Sequence, residues 1–553
     1  MEKYKHPKAL PFLFFSEMWE RFGYYLMIGI FTLYLKDEKA GFNMTEAQSA
    51  DLYGTFIALV FLTPFIGGIL ADRYLGYRKA IIIGGLLMGV GYCLMGIHNL
   101  PMLYLAMFFV VIGNGFFKPN ISTLLGNIYS EPQHLHKKDE GYNIFYMGIN
   151  TGAFICNFIS AALYISYGWS AAFIAAGVGM FIGVIIFVIG NKQYAHADVL
   201  KPTQPNDMPL WKIVLLILVP ASLFGIIGWF IKGTEAINNI NANIFGSDST
   251  DAFIFSCIPI IGFFASLYIK APGKEKQQIG ALLAIFAAVI LFWAVFKQNG
   301  SALNTWADKY TNRQVTGTAQ QIFSTVKFAD SLAYKKAISK TTNQQFRPIK
   351  SNDTFLKGNN YPAYFKNIAT ENLPADGGKI SVWSTNLSQS INPGWVILLT
   401  PLVIAFFSFL RRKGKEPSTP TKIAFGLLIS ALSVLVMVAA VKVGNNGAQK
   451  VSVLWLMASY GVITIGELFL SPMGLSLVSK LSPVRLTSLM MGGWFLATSI
   501  GNKLSGVLAS AWDGYTNKAN YFLLNFGLLL FAAVILFAML KWLNNIMKAH
   551  GVK

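Results

Sequence analysis

The sequence predicts an all-α membrane protein of fourteen transmembrane helices, grouped as two six-helix bundles with an inserted helix pair. Three observations predict this. The chain of 553 residues is 54% hydrophobic and only 13% charged, with mean hydropathy +0.49. Soluble domains carry roughly 25% charge. Its apolar residues fall in runs near the roughly 20 residues that a bilayer core requires. Its charges gather in the short stretches between those runs.

The runs lie near 11–35, 50–71, 79–98, 101–126, 141–165 and 169–190, then 210–231 and 252–270. Six more lie near 277–298, 392–410, 421–441, 452–477, 486–510 and 519–545. Five regions follow: a bundle over 1–191, an inserted pair and linkers over 192–276, and a first helix of the second bundle over 277–299. Then come an insertion over 300–391 and the remaining helices over 392–553. An even number of crossings puts both termini on one side. Lys and Arg concentrate in the segments sharing that side, so the termini are expected in the cytoplasm. Residues 300–391 turn polar and are too long for a simple connector. They are expected outside the membrane, as an ordered cap or a flexible insertion.

The basic balance, 45 Lys+Arg against 25 Asp+Glu, follows membrane topology rather than a nucleic-acid-binding face. Six histidines and three cysteines form no nucleophile or metal constellation, and no phosphate-binding glycine loop is present. Neither an enzyme nor a bound cofactor or metal is expected.

Ionisable groups at bilayer depth are costly, so each is a functional signal. The first run holds the densest set: Glu17, Glu20, Arg21 and Tyr24 recur at i, i+3, i+4 and i+7 and share one helix face. Two carboxylates around one guanidinium leave an uncompensated negative charge in low dielectric. One of them is suited to gain and lose a proton, as a proton-coupled carrier requires. Lys118 lies deep in the fourth run, beside Pro119, which frees the carbonyl of Gly115 and bends the helix. Glu467 lies in the twelfth, with Ser471 one turn on and Pro472 next. Lys118 and Glu467 are expected to pair across the two halves. Lys297 follows Phe292-Trp293 at a helix end, where it either snorkels or acts. Asp72 and Arg73, in Gly67-Gly68-Ile69-Leu70-Ala71-Asp72-Arg73, are expected to form a cytoplasmic latch.

That last segment resembles the helix 2–3 motif of the major facilitator superfamily. Glu17-x-x-Glu20-Arg21-Phe22-x-Tyr24-Tyr25 resembles the helix 1 signature of its proton-dependent oligopeptide transporters. Phe145-Tyr146-Met147-Gly148-Ile149-Asn150-Thr151-Gly152 resembles their helix 5 signature. The resemblance covers nearly all of the chain outside 300–391. It implies the major facilitator fold and proton-coupled import of di- and tripeptides across a bacterial inner membrane by a monomer. A peptide carboxylate would meet Arg21 and Lys118. Its amino group would meet Glu467, helped by Asn150 and Asn392. Tyr25, Tyr146, Trp293, Trp494 and Ser471 would line side-chain pockets. Proton coupling would rest on Glu17, Glu20, Arg21, Lys118 and Glu467, and gating on Asp72, Arg73 and Lys297.

The sequence departs from the family at two linked places. An arginine of helix 1 and an acid of helix 7 are replaced by Ile28 and Lys297, and a helix 2 tyrosine by Phe61. Lys297 is then either a rearranged gate or a relocated positive charge. Other cargoes on the same fold (nitrate, an organic acid, a drug) and a peptide-sensing role are the alternatives.

Overall fold

Long helices form where the sequence places its apolar runs. The computed structural model describes residues 5–550 apart from 38–39, 45, 201–208, 235–240, 246, 301, 326–327, 344–345, 347–348, 352–353 and 384. The helices α1 Leu10–Lys36, α2 Glu46–Leu70, α3 Tyr77–Met95, α4 Leu100–Ile128, α5 Lys138–Tyr167 and α6 Trp169–Ile189 pack on one another. Next comes α7, which runs from Leu210–Ile213 through a π turn at Val214–Leu218 into Val219–Phe230. It pairs with α8, Asp248–Lys270. A second group follows: α9 Gly273–Phe296, α10 Ser388–Arg412, α11 Thr419–Val443, α12 Val453–Leu481, α13 Thr487–Ser510 and α14 Lys518–Ala549.

Among the described residues, ten helices are long and apolar enough to cross a membrane. Large apolar side chains stand exposed on the outward faces, including Ile189, Leu216, Phe230, Ile269, Leu398 and Phe531. Exposure on that scale suits hydrocarbon rather than water.

The two groups meet where α2 and α4 face α13, and where α5 faces α10 and α12. Both ends of the described chain lie at one face. His6 reaches Tyr129 and Glu140 there, and Asn544 accepts a hydrogen bond from Ser418 at 2.6 Å. We call this the terminal face.

At the opposite face, the described residues between 302 and 387 form an ordered cap. Ala329–Ala333 pairs antiparallel with Lys379–Trp383, and Ala337–Lys340 with Lys357–Asn360. Trp306 stacks on Tyr310 at 4.7 Å. Buried Arg313 donates to the carbonyl of Trp383 at 2.7 Å and to Asp308 at 2.9 Å. The cap touches both helix groups: Phe328 meets Phe158 of α5 at 5.0 Å, and Asn304 bonds Ser388 of α10.

Lys450 ties the cap to the turn before α12. Its Nζ donates to the carbonyl of Lys309 at 3.1 Å and sits 4.1 Å over the Tyr364 ring. Burial, reinforced by the nearby Arg313 charge, pushes the Lys450 ammonium from 10.5 down to about 7. A base so depressed binds fewer protons folded than unfolded in that interval, so stability rises with pH there. The cap's anchor is therefore expected to tighten as pH rises above about 7, and to be weakest and insensitive to pH below it. Hydrogen exchange of residues 309–315 and 448–452, measured across that range, checks this, and Lys450→Met should flatten the dependence.

Candidate functional site

The site begins with the closeness of α1 to α5. A Cβ on Gly152 would stand 2.2 Å from the carbonyl of Met18, so only glycine lets the backbones approach this far. That contact buries Ser16, Glu17, Glu20 and Arg21 together. Arg21 Nη2 donates to Glu20 Oε1 at 2.6 Å, and its Nε donates to Glu20 Oε2. Glu17 Oε1 stands 3.4 Å from the same Nε, one helical turn away. Glu17 Oε2 is buried without a hydrogen-bond partner among the described residues. The three-charge cluster on one helix face thus forms as the spacing predicts. Arg21 engages Glu20 with two hydrogen bonds and leaves Glu17 the less satisfied acid.

A second close approach places Lys118. A Cβ on Gly67 of α2 would lie 2.0 Å from the carbonyl of Gly115, the group that Pro119 frees. Asn120 Nδ2 seals this contact, donating to Phe116 at 2.7 Å and to Gly67 at 3.3 Å. Lys118 then projects between the rings of Phe61, at 4.5 Å, and Phe495 of α13, at 4.8 Å.

Glu467 stands in the second helix group. It accepts from Asn392 Nδ2 at 2.8 Å and from the Tyr146 hydroxyl of α5. Asn392 also donates to Thr464 at 2.9 Å. The expected Lys118–Glu467 ion pair is therefore not formed. The neutral donors Tyr146 and Asn392 occupy the carboxylate, and aromatic faces occupy the ammonium.

These groups surround one cavity of about 520 Å³ between the halves. Arg21, Tyr25 and Lys118 line it from α1 and α4, and Tyr146 and Asn150 from α5. Trp293, Asn392, Glu467, Ser471 and Trp494 line it from the second group. Lys297 lines it as well, one turn beyond Trp293. The structure brings every sequence-predicted binding residue into this cavity. Glu20 lies behind the wall, reached through Arg21. Lys503, inside α13, also lines the cavity, a role that its sequence context leaves ambiguous.

Away from the cavity, Asp72 is buried in a π turn, Ala71–Leu75. It accepts from the Tyr77 hydroxyl at 2.6 Å, the Ser488 backbone N–H at 3.2 Å and the Ser488 hydroxyl at 2.9 Å. It therefore joins α2 to the start of α13, where a helix N-terminus favours a carboxylate. Nearby, Arg78 turns instead to Asp198, at 2.7 Å.

The sequence missed a larger network at the same face. Asp139 of α5 accepts from Lys422 at 2.8 Å, Lys480 at 2.6 Å, Thr419 at 3.2 Å and Ser476. Beside it, Arg411 links Glu140, at 3.5 Å, to Glu416, at 2.5 Å. Burial disfavours the charge on Glu416, but Arg411 and Lys422 outweigh it and hold the carboxyl below its usual range. These contacts close the terminal face between the halves. Their basic members looked like ordinary topology signals, and only the fold reveals their acidic partners.

With the geometry in hand, comparison with known proteins is direct. The POT family profile (PTR2) matches residues 78–325 and 370–524. The chain belongs to the POT family. It is 27% identical over 515 residues to the di-/tripeptide transporter of Lactococcus lactis, covering 92% of this chain and 90% of that protein. It is 27% identical to dipeptide and tripeptide permease A of Escherichia coli, over 92% and 85% respectively. A crystal structure of the peptide transporter POT in complex with sulfate superposes with TM-score 0.64 at 28% identity, over 99% and 97% of the two chains. POT proteins are multi-pass membrane transporters of the major facilitator fold, and so is this chain.

Asp139→Asn would leave Lys422 and Lys480 buried side by side without their shared acid. Breaking a buried ion pair on one side costs about 3–5 kcal/mol. The variant should show faster hydrogen exchange at the terminal-face ends of α5, α11 and α12. Unchanged exchange there would contradict the latch.

Proposed function

We propose that the chain is a proton-coupled symporter that imports di- and tripeptides by alternating access, with the two helix groups rocking around the cavity. The observation that carries this is the division of charge across it. Arg21 and Lys118 stand on the first group, and Glu467 on the second. A peptide of fixed length carries a carboxylate and an ammonium at a set separation, and such a cavity complements it. Its volume lies within the range of small-molecule sites. The printed names of the relatives point the same way.

In this cycle a proton on Glu20 or Glu17 lowers the acid surplus around Arg21, which frees the guanidinium for the peptide carboxylate. The amine displaces Tyr146 from Glu467, loosening a link between the halves. Opening the Asp139 and Asp72 contacts then releases peptide and proton. The loop charges support termini in the cytoplasm of a bacterial cell, with the terminal face as the inner side. Asp72 and Arg73 belong to that gate. The chain acts as a monomer.

Glu20→Gln is expected to abolish proton-driven accumulation while keeping counterflow exchange of labelled dipeptide. Accumulation against the gradient in this variant would remove Glu20 from coupling. For the substrate, unlabelled dialanine should compete for uptake in the wild type. Glu467→Ala should weaken that competition on the order of tenfold or more, the loss of a charge-assisted hydrogen bond. Nitrate has no ammonium to offer Glu467, so a nitrate carrier would be insensitive to both.

A further inference from the structure

We infer that Lys297 makes the cavity selective for peptides carrying an acidic side chain. This rests on the peptide-transport reading above and names the substrate class within it.

Lys297 lies in the cavity wall at the end of α9. No carboxylate of the described residues stands within ion-pair distance of it. Its ammonium lies over aromatic faces, Trp293 at 5.5 Å and Phe296 at 5.8 Å. It shares the cavity wall with Lys118 and Glu467, so it stands among the groups that would hold a peptide.

The acidic charges are committed. Glu17 and Glu20 surround Arg21, and Glu467 is held by Tyr146 and Asn392. Four basic side chains, Arg21, Lys118, Lys297 and Lys503, line the cavity against two acidic ones, Glu17 and Glu467. A zwitterionic dipeptide brings one charge of each sign and leaves that surplus unchanged. A peptide with an additional carboxylate reduces it.

Trp293 supplies a second, independent sign. Its indole Nε1–H is buried without an acceptor among the described residues, and Trp293 lines the cavity one helical turn before Lys297. A buried donor without an acceptor is unfavourable. The indole donates only, and so does the ammonium. One carboxylate offers acceptors for both. Two donors one helical turn apart in the same wall, one of them charged, favour an anionic oxygen pair over an amide or an alkyl group.

The test is competition against labelled Ala-Ala uptake in proteoliposomes holding the full chain. Unlabelled Ala-Glu and Glu-Ala are compared with Ala-Lys and Lys-Ala. In the wild type the better acidic peptide should compete about tenfold or more strongly than the better basic one, as one charge-assisted contact implies. Lys297→Gln should bring the ratio toward one, and Lys297→Glu should invert it. Equal competition in the wild type, or an acidic preference that survives Lys297→Glu, overturns the inference. The wild-type ratio needs no variant, so a poorly folded substitution leaves the test standing. If the wild type takes up no dipeptide, the transport reading itself fails. Ala-Ala uptake without side-chain charge preference defeats only the role of Lys297.

Discussion

The buried contact of Arg21 with Glu20 and Glu17 is the constraint on which the rest of the structure depends. One guanidinium among two carboxylates, inside an apolar bundle, is electrostatically unfinished. It can be completed by a proton on an acid. A ligand carboxylate can then take the guanidinium. The bundle buries this set: Gly152 lets α5 lie directly on α1, and Glu17 and Arg21 keep an open face toward the cavity.

From that open face the cavity follows. Lys118 stands on the same half, raised between two rings by the α2–α4 contact at Gly67. Glu467 stands on the other half, and Tyr146 reaches it from the first. The halves are thus joined at the cavity by a hydrogen bond from one neutral hydroxyl. At the terminal face they are joined by charges, through Asp139, Glu140, Arg411, Lys422 and Lys480. A ligand ammonium can replace that one hydroxyl donor. A charged network opens only when its partners separate together, which gives the two layers different roles in an alternating cycle.

How much of this was legible in the sequence depends on where each charge lay. Glu17, Glu20, Arg21, Lys118 and Glu467 interrupt long apolar runs, so their burial could be read directly, and all reach the site. Asp139, Lys422 and Lys480 sit at helix ends, where charge is ordinary, so their pairing needed the fold. The Lys118–Glu467 pair was inferred from opposite sign alone, and sign does not see that Tyr146 and Asn392 arrive first. In the cap, strands of two to five residues carry too little periodicity to be recognised, although the polar shift at residue 300 marked its start.

The central claim is that charge division in this cavity couples proton and peptide movement. The most direct measurement is uptake of a labelled dipeptide into proteoliposomes, with and without an imposed inward proton gradient. The account predicts accumulation above the external concentration only when the gradient is present. It predicts equilibration without it. Uptake that reached the same level in both conditions would contradict coupling.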